Sequence, residues 1–181
     1  DICDDVVYIN PDSGYKISRF LNGARACNPL NKDDVTKCMA FLRQFHKKNL
    51  KVNHYFDLFS QIDFYEDLWK GLPSIHKDYL DIKNKVFSLQ EFLSRQSIHL
   101  SLTHIDAVPD NFLIVKSGLR EKIRLIDWEY AAMQDPHLDI AMFAIYSMYN
   151  KQQVDSLIDA YFVEGCSESI RTKIYCYISI A

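Results

Sequence analysis

The chain has 181 residues, a net charge of −3 and a pI near 6.1, with 48% apolar and 13% aromatic residues. That composition buries a real core, which excludes a disordered segment, and the slight acidic balance excludes an electrostatic footprint for nucleic acid. Five scattered cysteines (Cys3, Cys27, Cys38, Cys166 and Cys176) without a CxxC pair exclude a disulfide frame and a zinc site, and predict reduced, mostly buried thiols in a cytoplasmic protein.

In chain order, "DVVYIN", "PDSG" and "YKISRFL" read as strand, turn and strand, with Gly14 where the backbone must be permissive. "NGARACNPLN" follows as a loop. From about Asp33 to Asn49, Val35, Met39, Leu42 and Phe45 recur at helical spacing, and "FHKK" is the basic end of that helix. A second helix is predicted through "FDLFSQIDFYEDLWK", stopped by "GLP". A third runs from about Lys77 to Arg95, with Ile82, Val86, Leu89 and Leu93 on one face. The period then changes: "IHLSL" and "FLIVKSGLREKIRLI" read as short strands, the latter two joined by a turn at Ser117-Gly118. After Asp127 the helical pattern returns over about 136–149, 151–163 and from 167 onward. The predicted class is α+β with helices dominant. No signal peptide and no membrane-spanning apolar run is present. The chain opens on Asp1 and ends inside the apolar segment "IYCYISIA" without a cap, so a piece of a longer protein is expected.

Chemistry concentrates in two loops that bracket the central hairpin. "THIDAVPDN" carries His104, Asp106 and Asn111, and "LIDWEYAAMQDPHLDIA" carries Asp127, Glu129 and Asp139. An antiparallel pair returns the chain to its start, so Asn111 and Asp127 should emerge at one end of the hairpin, near Asp106. Such a cluster suits Mg²⁺-assisted phosphoryl transfer. Asn111 and Asp127 would supply hard oxygen ligands, with phosphates and water completing the shell. Asp106 is left to orient a hydroxyl nucleophile and take its proton late. Asp110 would cap the turn after Pro109. The remaining histidines, His46, His54, His76, His99 and His137, lack ligand spacing and read as ordinary, while Phe45, Phe56, Phe59 and Phe64 read as core.

"HIDAVPDN" resembles the H-x-D-x-x-x-x-N catalytic loop of kinase-like phosphotransferases, and "IDWE" resembles their metal loop. With "DPHLDIA" following, the pattern is similar to the small-molecule branch of aminoglycoside phosphotransferases and choline/ethanolamine kinases, and Glu129 leans toward the latter. "GYKISRFL" resembles the last N-lobe strand and hinge of bacterial choline kinases, and "FLRQFHKKNL" the first C-lobe helix. Val108 stands where protein kinases place a Lys, Trp128-Glu129 replaces Phe-Gly, and eleven residues between Asp127 and Asp139 are too few for a peptide-docking segment.

The resemblance implies the C-terminal lobe of a kinase fold, with residues 1–21 as the end of the N-lobe and hinge and 22–181 as the helical C-lobe. It implies ATP and Mg²⁺, and transfer to the hydroxyl of choline or a similar amino alcohol, with no membrane insertion and no nucleic-acid partner. The rivals are an aminoglycoside- or thiamine-type kinase and a non-catalytic binding remnant. By the same resemblance, His104 packs to hold the loop, Asp139 braces it through hydrogen bonds, and adenine rests on Arg19, Phe20 and Leu21. Glu129 is either outer support for the metal or a surface carboxylate. Tyr146 and Tyr149, three residues apart and so expected on one helical face, are candidates for a cationic headgroup pocket, with core packing as the alternative. The phosphate-gripping loop and Lys of the N-lobe have no counterpart in these residues, so the isolated chain is expected to fold without transferring phosphate.

Overall fold

The computed structural model describes residues 2–118 and 120–181; Asp1 and Leu119, which fall in the predicted N-lobe segment and the predicted hairpin, lie outside the described residues. Val6–Asn10 (β1) and Tyr15–Ser18 (β2) pair antiparallel. Their turn closes with the Gly14 N–H donating to the Asn10 carbonyl at 2.9 Å, and Gly14 sits at φ +72°, a conformation open to glycine at no steric cost. Then come Arg25–Ala26 (β3), the helices Lys32–Lys47 (α1), Leu58–Asp67 (α2) and Tyr79–Ser94 (α3), and the strands Ser101–Thr103 (β4), Phe112–Ser117 (β5), Arg120–Leu125 (β6) and Ala132–Gln134 (β7). His137–Tyr146 (α4), Lys151–Tyr161 (α5) and Glu168–Ile180 (α6) complete the chain. Among the described residues no helix is long and apolar enough to cross a membrane.

The helix starts follow from side-chain chemistry. Asn31 caps α1 by accepting the N–H groups of Asp33 and Asp34, and Asn150 with Gln153 forms a reciprocal capping box on α5. α1 buries Cys38, Met39, Leu42 and Phe45; the first three pack with Phe112 and Leu125 of the hairpin and with Phe143, Leu157 and Ile158 of α4 and α5. A second cluster, Phe59, Leu93, Leu138, Ala141, Tyr177 and Ile180, joins α2 and α3 to α4 and α6. A buried ion pair, Lys173 Nζ to Asp135 Oδ2 at 2.6 Å, docks α6 onto the residues leading into α4.

The strands differ from expectation in one respect. β3, read as loop, pairs with β5 and extends the hairpin into a sheet of order β3-β5-β6, while β4 pairs with the unpredicted β7. Both missed strands are two or three residues long, too short for any period to show. β3 is pinned by Arg25, whose guanidinium donates to both carboxylate oxygens of the buried Asp34 at 2.5 and 2.8 Å and holds that carboxyl below the usual range. Phe64 and Ile82, expected inward, are about half exposed, because α2 and α3 touch the body along one narrow stripe through Phe59 and Leu93. The five cysteines are all free, with Cys27, Cys38 and Cys176 buried.

Candidate active site

The chain leaves β4 through a kink. Ile105 adopts φ +73°, a left-handed conformation that costs a β-branched residue on the order of 1–3 kcal/mol. Asp139, fully buried in the first turn of α4, holds the kink: Oδ1 accepts the Ile105 N–H at 2.8 Å and Oδ2 accepts the His104 N–H at 3.1 Å. His104 is buried as well. Its Nε2–H donates to the Ile126 carbonyl at 2.9 Å, and its ring lies edge-on to Trp128 with centroids 4.7 Å apart. His104 therefore ties the loop before the hairpin to the loop after it.

Past the kink, Asp106 is partly exposed and its backbone carbonyl accepts the Val108 N–H at 2.8 Å. Pro109–Asn111 forms one 3-10 turn without a side-chain cap, so Asp110 lies exposed inside the turn instead of capping it. The Asn111 side-chain N–H group donates to the Asp106 backbone carbonyl at 2.9 Å and to its carboxylate at 3.0 Å. With the amide nitrogen committed to those two acceptors, Asn111 Oδ1 is left facing away from Asp106.

The hairpin register then sets the other half of the site. Phe112 lies opposite Leu125, and the Ile126 N–H donates to the Asn111 carbonyl at 3.0 Å. Asp127 is the next residue, exposed and held at φ +65°. Trp128 turns inward: its Nε1–H donates to the Leu125 carbonyl at 2.7 Å and its ring meets Phe45 edge-on. Glu129 is exposed. Among the described residues no three His, Cys, Asp or Glu side chains gather for a metal. A cation at this end of the hairpin would draw on Asn111 Oδ1 and Asp127, with other ligands from outside the protein.

Two cavities meet the two loops. Asp106 lines a groove of about 300 Å³ walled by Phe56, Tyr65, Tyr130 and Tyr146. Asp127 and Glu129 line a larger one of about 660 Å³, shared with Asp4 and with Ile9 and Lys16 of the N-terminal ribbon. Tyr130 belongs to the same electrostatic neighbourhood. Glu129 first, then Tyr65, with smaller contributions from Asp106 and Asp127, push its hydroxyl above the ordinary tyrosine range.

The predicted tyrosine pair is not a pair. α4 ends at Tyr146, and Met148 at φ +53° turns the chain, so Tyr149 does not share the helical face. Its ring packs on Phe143 and its hydroxyl donates to the Pro29 carbonyl, which packs the half-buried Tyr149 against the core, and of the two tyrosines Tyr146 alone lines the groove. Arg19, Phe20 and Leu21 lie in the connection from β2 to β3. The Arg19 N–H and Nε bond Asp5, and Phe20 is exposed.

Three residues at the site escaped the sequence reading. His46, read as ordinary, is buried and donates to Asp139 at 2.9 Å. Its place on the apolar stripe of α1, four residues after Leu42, was the available signal. Tyr65 and Tyr130 carried none, since neither stands in a periodic pattern with the loops.

The sequence profile of the choline/ethanolamine kinase family matches residues 13–161. Protein LicA of Haemophilus influenzae is 23% identical over 158 residues, which cover 84% of this chain and 57% of the relative. The crystal structure of choline kinase LicA from Streptococcus pneumoniae superposes with a TM-score of 0.83 at 26% identity, over 97% of this chain and 61% of that one. A structure of LicA in complex with AMP gives 0.80 at 25% identity, over 97% and 60% of the two chains. The chain thus spans roughly three-fifths of the length of these relatives.

Proposed function

The chain belongs to the choline/ethanolamine kinase family, and from that premise we propose that the whole protein transfers the γ-phosphate of ATP to the hydroxyl of choline or a similar amino alcohol. The observation that carries the reading is the Asn111 side chain. Its nitrogen is committed to Asp106, so its oxygen is free at the hairpin end that also delivers Asp127. One amide oxygen and one carboxylate are a fitting hard-oxygen pair for Mg²⁺, which completes its shell from phosphates and water. When bound there, the ion supplies charge that offsets the nucleotide phosphates.

The protein's own contributions divide by loop. Asp106 faces the groove, where its carboxylate accepts the hydrogen bond of the incoming hydroxyl, orients it, and receives the proton as the new bond forms. The Asn111 N–H bonds fix that carboxylate's direction. His104 and Asp139 hold the kink on which Asp106 rides. Phe56, Tyr65, Tyr130 and Tyr146 offer ring faces to an ammonium that cannot donate hydrogen bonds, at about 0.5–2 kcal/mol per contact. Nucleotide occupies the Asp127 side, with Arg19, Phe20 and Leu21 at the hinge. Five free thiols accord with a cytoplasmic location.

The test is transfer itself. The whole protein, given Mg²⁺ and ATP with choline, ethanolamine, thiamine or an aminoglycoside in turn, should phosphorylate the amino alcohols in preference. Transfer only to thiamine or aminoglycoside would replace the acceptor, and transfer to none would leave a binding module.

A further inference from the structure

The side chains behind the catalytic loop form a continuous file. Asp139 is fully buried and accepts three hydrogen bonds, two from the His104 and Ile105 backbone and one from His46 Nε2 at 2.9 Å. A carboxylate only accepts, so the proton on this last bond belongs to His46 Nε2. His46 Nδ1 lies 2.8 Å from the Tyr161 hydroxyl at the end of α5, and in a neutral imidazole it accepts that O–H. Burial, together with the carboxylates of Asp139 and Asp135, raises the Tyr161 hydroxyl far above its usual range, so it keeps its proton to donate. The three side chains come from α1, α4 and α5, and they converge on the one strained, β-branched residue that immediately precedes Asp106.

We propose that Tyr161 and His46 are positioning residues: the file Tyr161–His46–Asp139 locks the left-handed kink at Ile105 and so aims Asp106 at the acceptor hydroxyl. This role deepens the phosphotransfer reading above and rests on it. Ile105 gains nothing locally from φ +73°, and its N–H bond to Asp139 Oδ1 is the restraint that opposes relaxation. Among the described residues His46 is the only side chain that bonds Asp139, so it fixes the plane of the carboxylate and thereby which oxygen meets which N–H. Without it the carboxylate can rotate, the kink can relax, and Asp106 shifts although every groove residue is intact.

The experiment compares wild type, His46→Leu, His46→Gln and Tyr161→Phe in the whole protein. It reads kcat, the KM for choline and for ATP, and amide hydrogen exchange at Ile105. His46→Leu should lower kcat by about 10- to 100-fold, the scale of a displacement near 1 Å, with both KM values little changed. His46→Gln, whose amide replaces the Nε2–H donor, should recover most of that loss, and Tyr161→Phe should fall between wild type and Leu. Exchange at Ile105 should quicken in the same order. The proposal is overturned if Gln is as impaired as Leu, if kcat in the Leu variant stays within about twofold of wild type, or if Ile105 exchange is unchanged. Should the Leu variant not fold, Ile105 exchange in Tyr161→Phe against wild type decides. If wild type phosphorylates no amino alcohol, the functional reading alone fails, and the exchange series still tests the lock.

Discussion

Lys173 and Asp135 offer a quantitative test of how α6 is fastened to the body that carries the site. Both side chains are about 3% exposed or less, and the ammonium lies 2.6 Å from Asp135 Oδ2. Asp135 also accepts the Tyr177 O–H at 3.1 Å and the His137 N–H at 3.0 Å. Lys173→Met keeps the apolar stem and removes the charge, leaving a buried carboxylate with two neutral donors. Breaking one side of a buried pair costs about 3–5 kcal/mol, and the surviving donors put this case at the lower end, near 3 kcal/mol. For a chain of this size that lowers Tm by about 6–12 °C. Asp135→Asn in the Lys173→Met background removes the orphaned charge, so the double variant should be more stable than Lys173→Met alone. Urea unfolding of the two single variants and the double gives the cycle. A Lys173→Met cost under about 1 kcal/mol, or a double variant at the sum of the singles, would refute the claim that these charges depend on one another.

Other outcomes follow from the site and from one buried histidine. Asp106→Asn in the whole protein should abolish transfer while nucleotide affinity, measured by titration, stays close to wild type. Asp127→Ala should weaken nucleotide binding only when Mg²⁺ is present, so titrations with and without the ion separate the two carboxylates. Tyr146→Leu keeps bulk but removes the ring face, and should raise the KM for choline well above any change in the KM for ATP; equal KM values in variant and wild type would return Tyr146 to packing. Burial lowers the His137 pKa to about 4 against 6.5 unfolded, so between those values the unfolded chain binds more protons and stability falls as pH drops. The loss approaches about 3 kcal/mol by pH 4, and His137→Asn should flatten that part of the urea-midpoint profile.

How far the sequence could be read depended on length and on chemistry. The six helices were visible because each runs ten or more residues with recurring apolar positions, and the β5–β6 hairpin because two runs flank a Gly turn. β3 and β7 were invisible because two or three residues carry no period, and what makes them strands is a partner far along the chain. Asp106, Asn111 and Asp127 stood out because a His, carboxylates and an Asn are costly choices for a plain turn, and hairpin geometry alone brought two of them together. Tyr149 misled because helical spacing was extended three residues past the end of α4, where Met148 breaks it.

What the spacing could not reveal is strain. Among the described residues, five other than glycine have positive φ: Asn49, Lys70, Ile105, Asp127 and Met148. Asn and Lys at helix ends are tolerable in that region, and Met148 closes a helix. Ile105 and Asp127 end no helix, and each stands in a loop of the candidate site: one directly before Asp106, the other the proposed metal ligand itself. A relaxed sequence would place glycine at such positions, but Asp127 must carry a carboxylate, and Ile105 buries its side chain against the α4 and α6 cluster. The conformations persist because neighbours over-determine them, through Asp139 for the first and through the Ile126 bonds to Asn111 and His104 for the second. Local preference and native geometry disagree at the two residues where the proposed chemistry is aimed, and agree through most of the helical scaffold that pays for them.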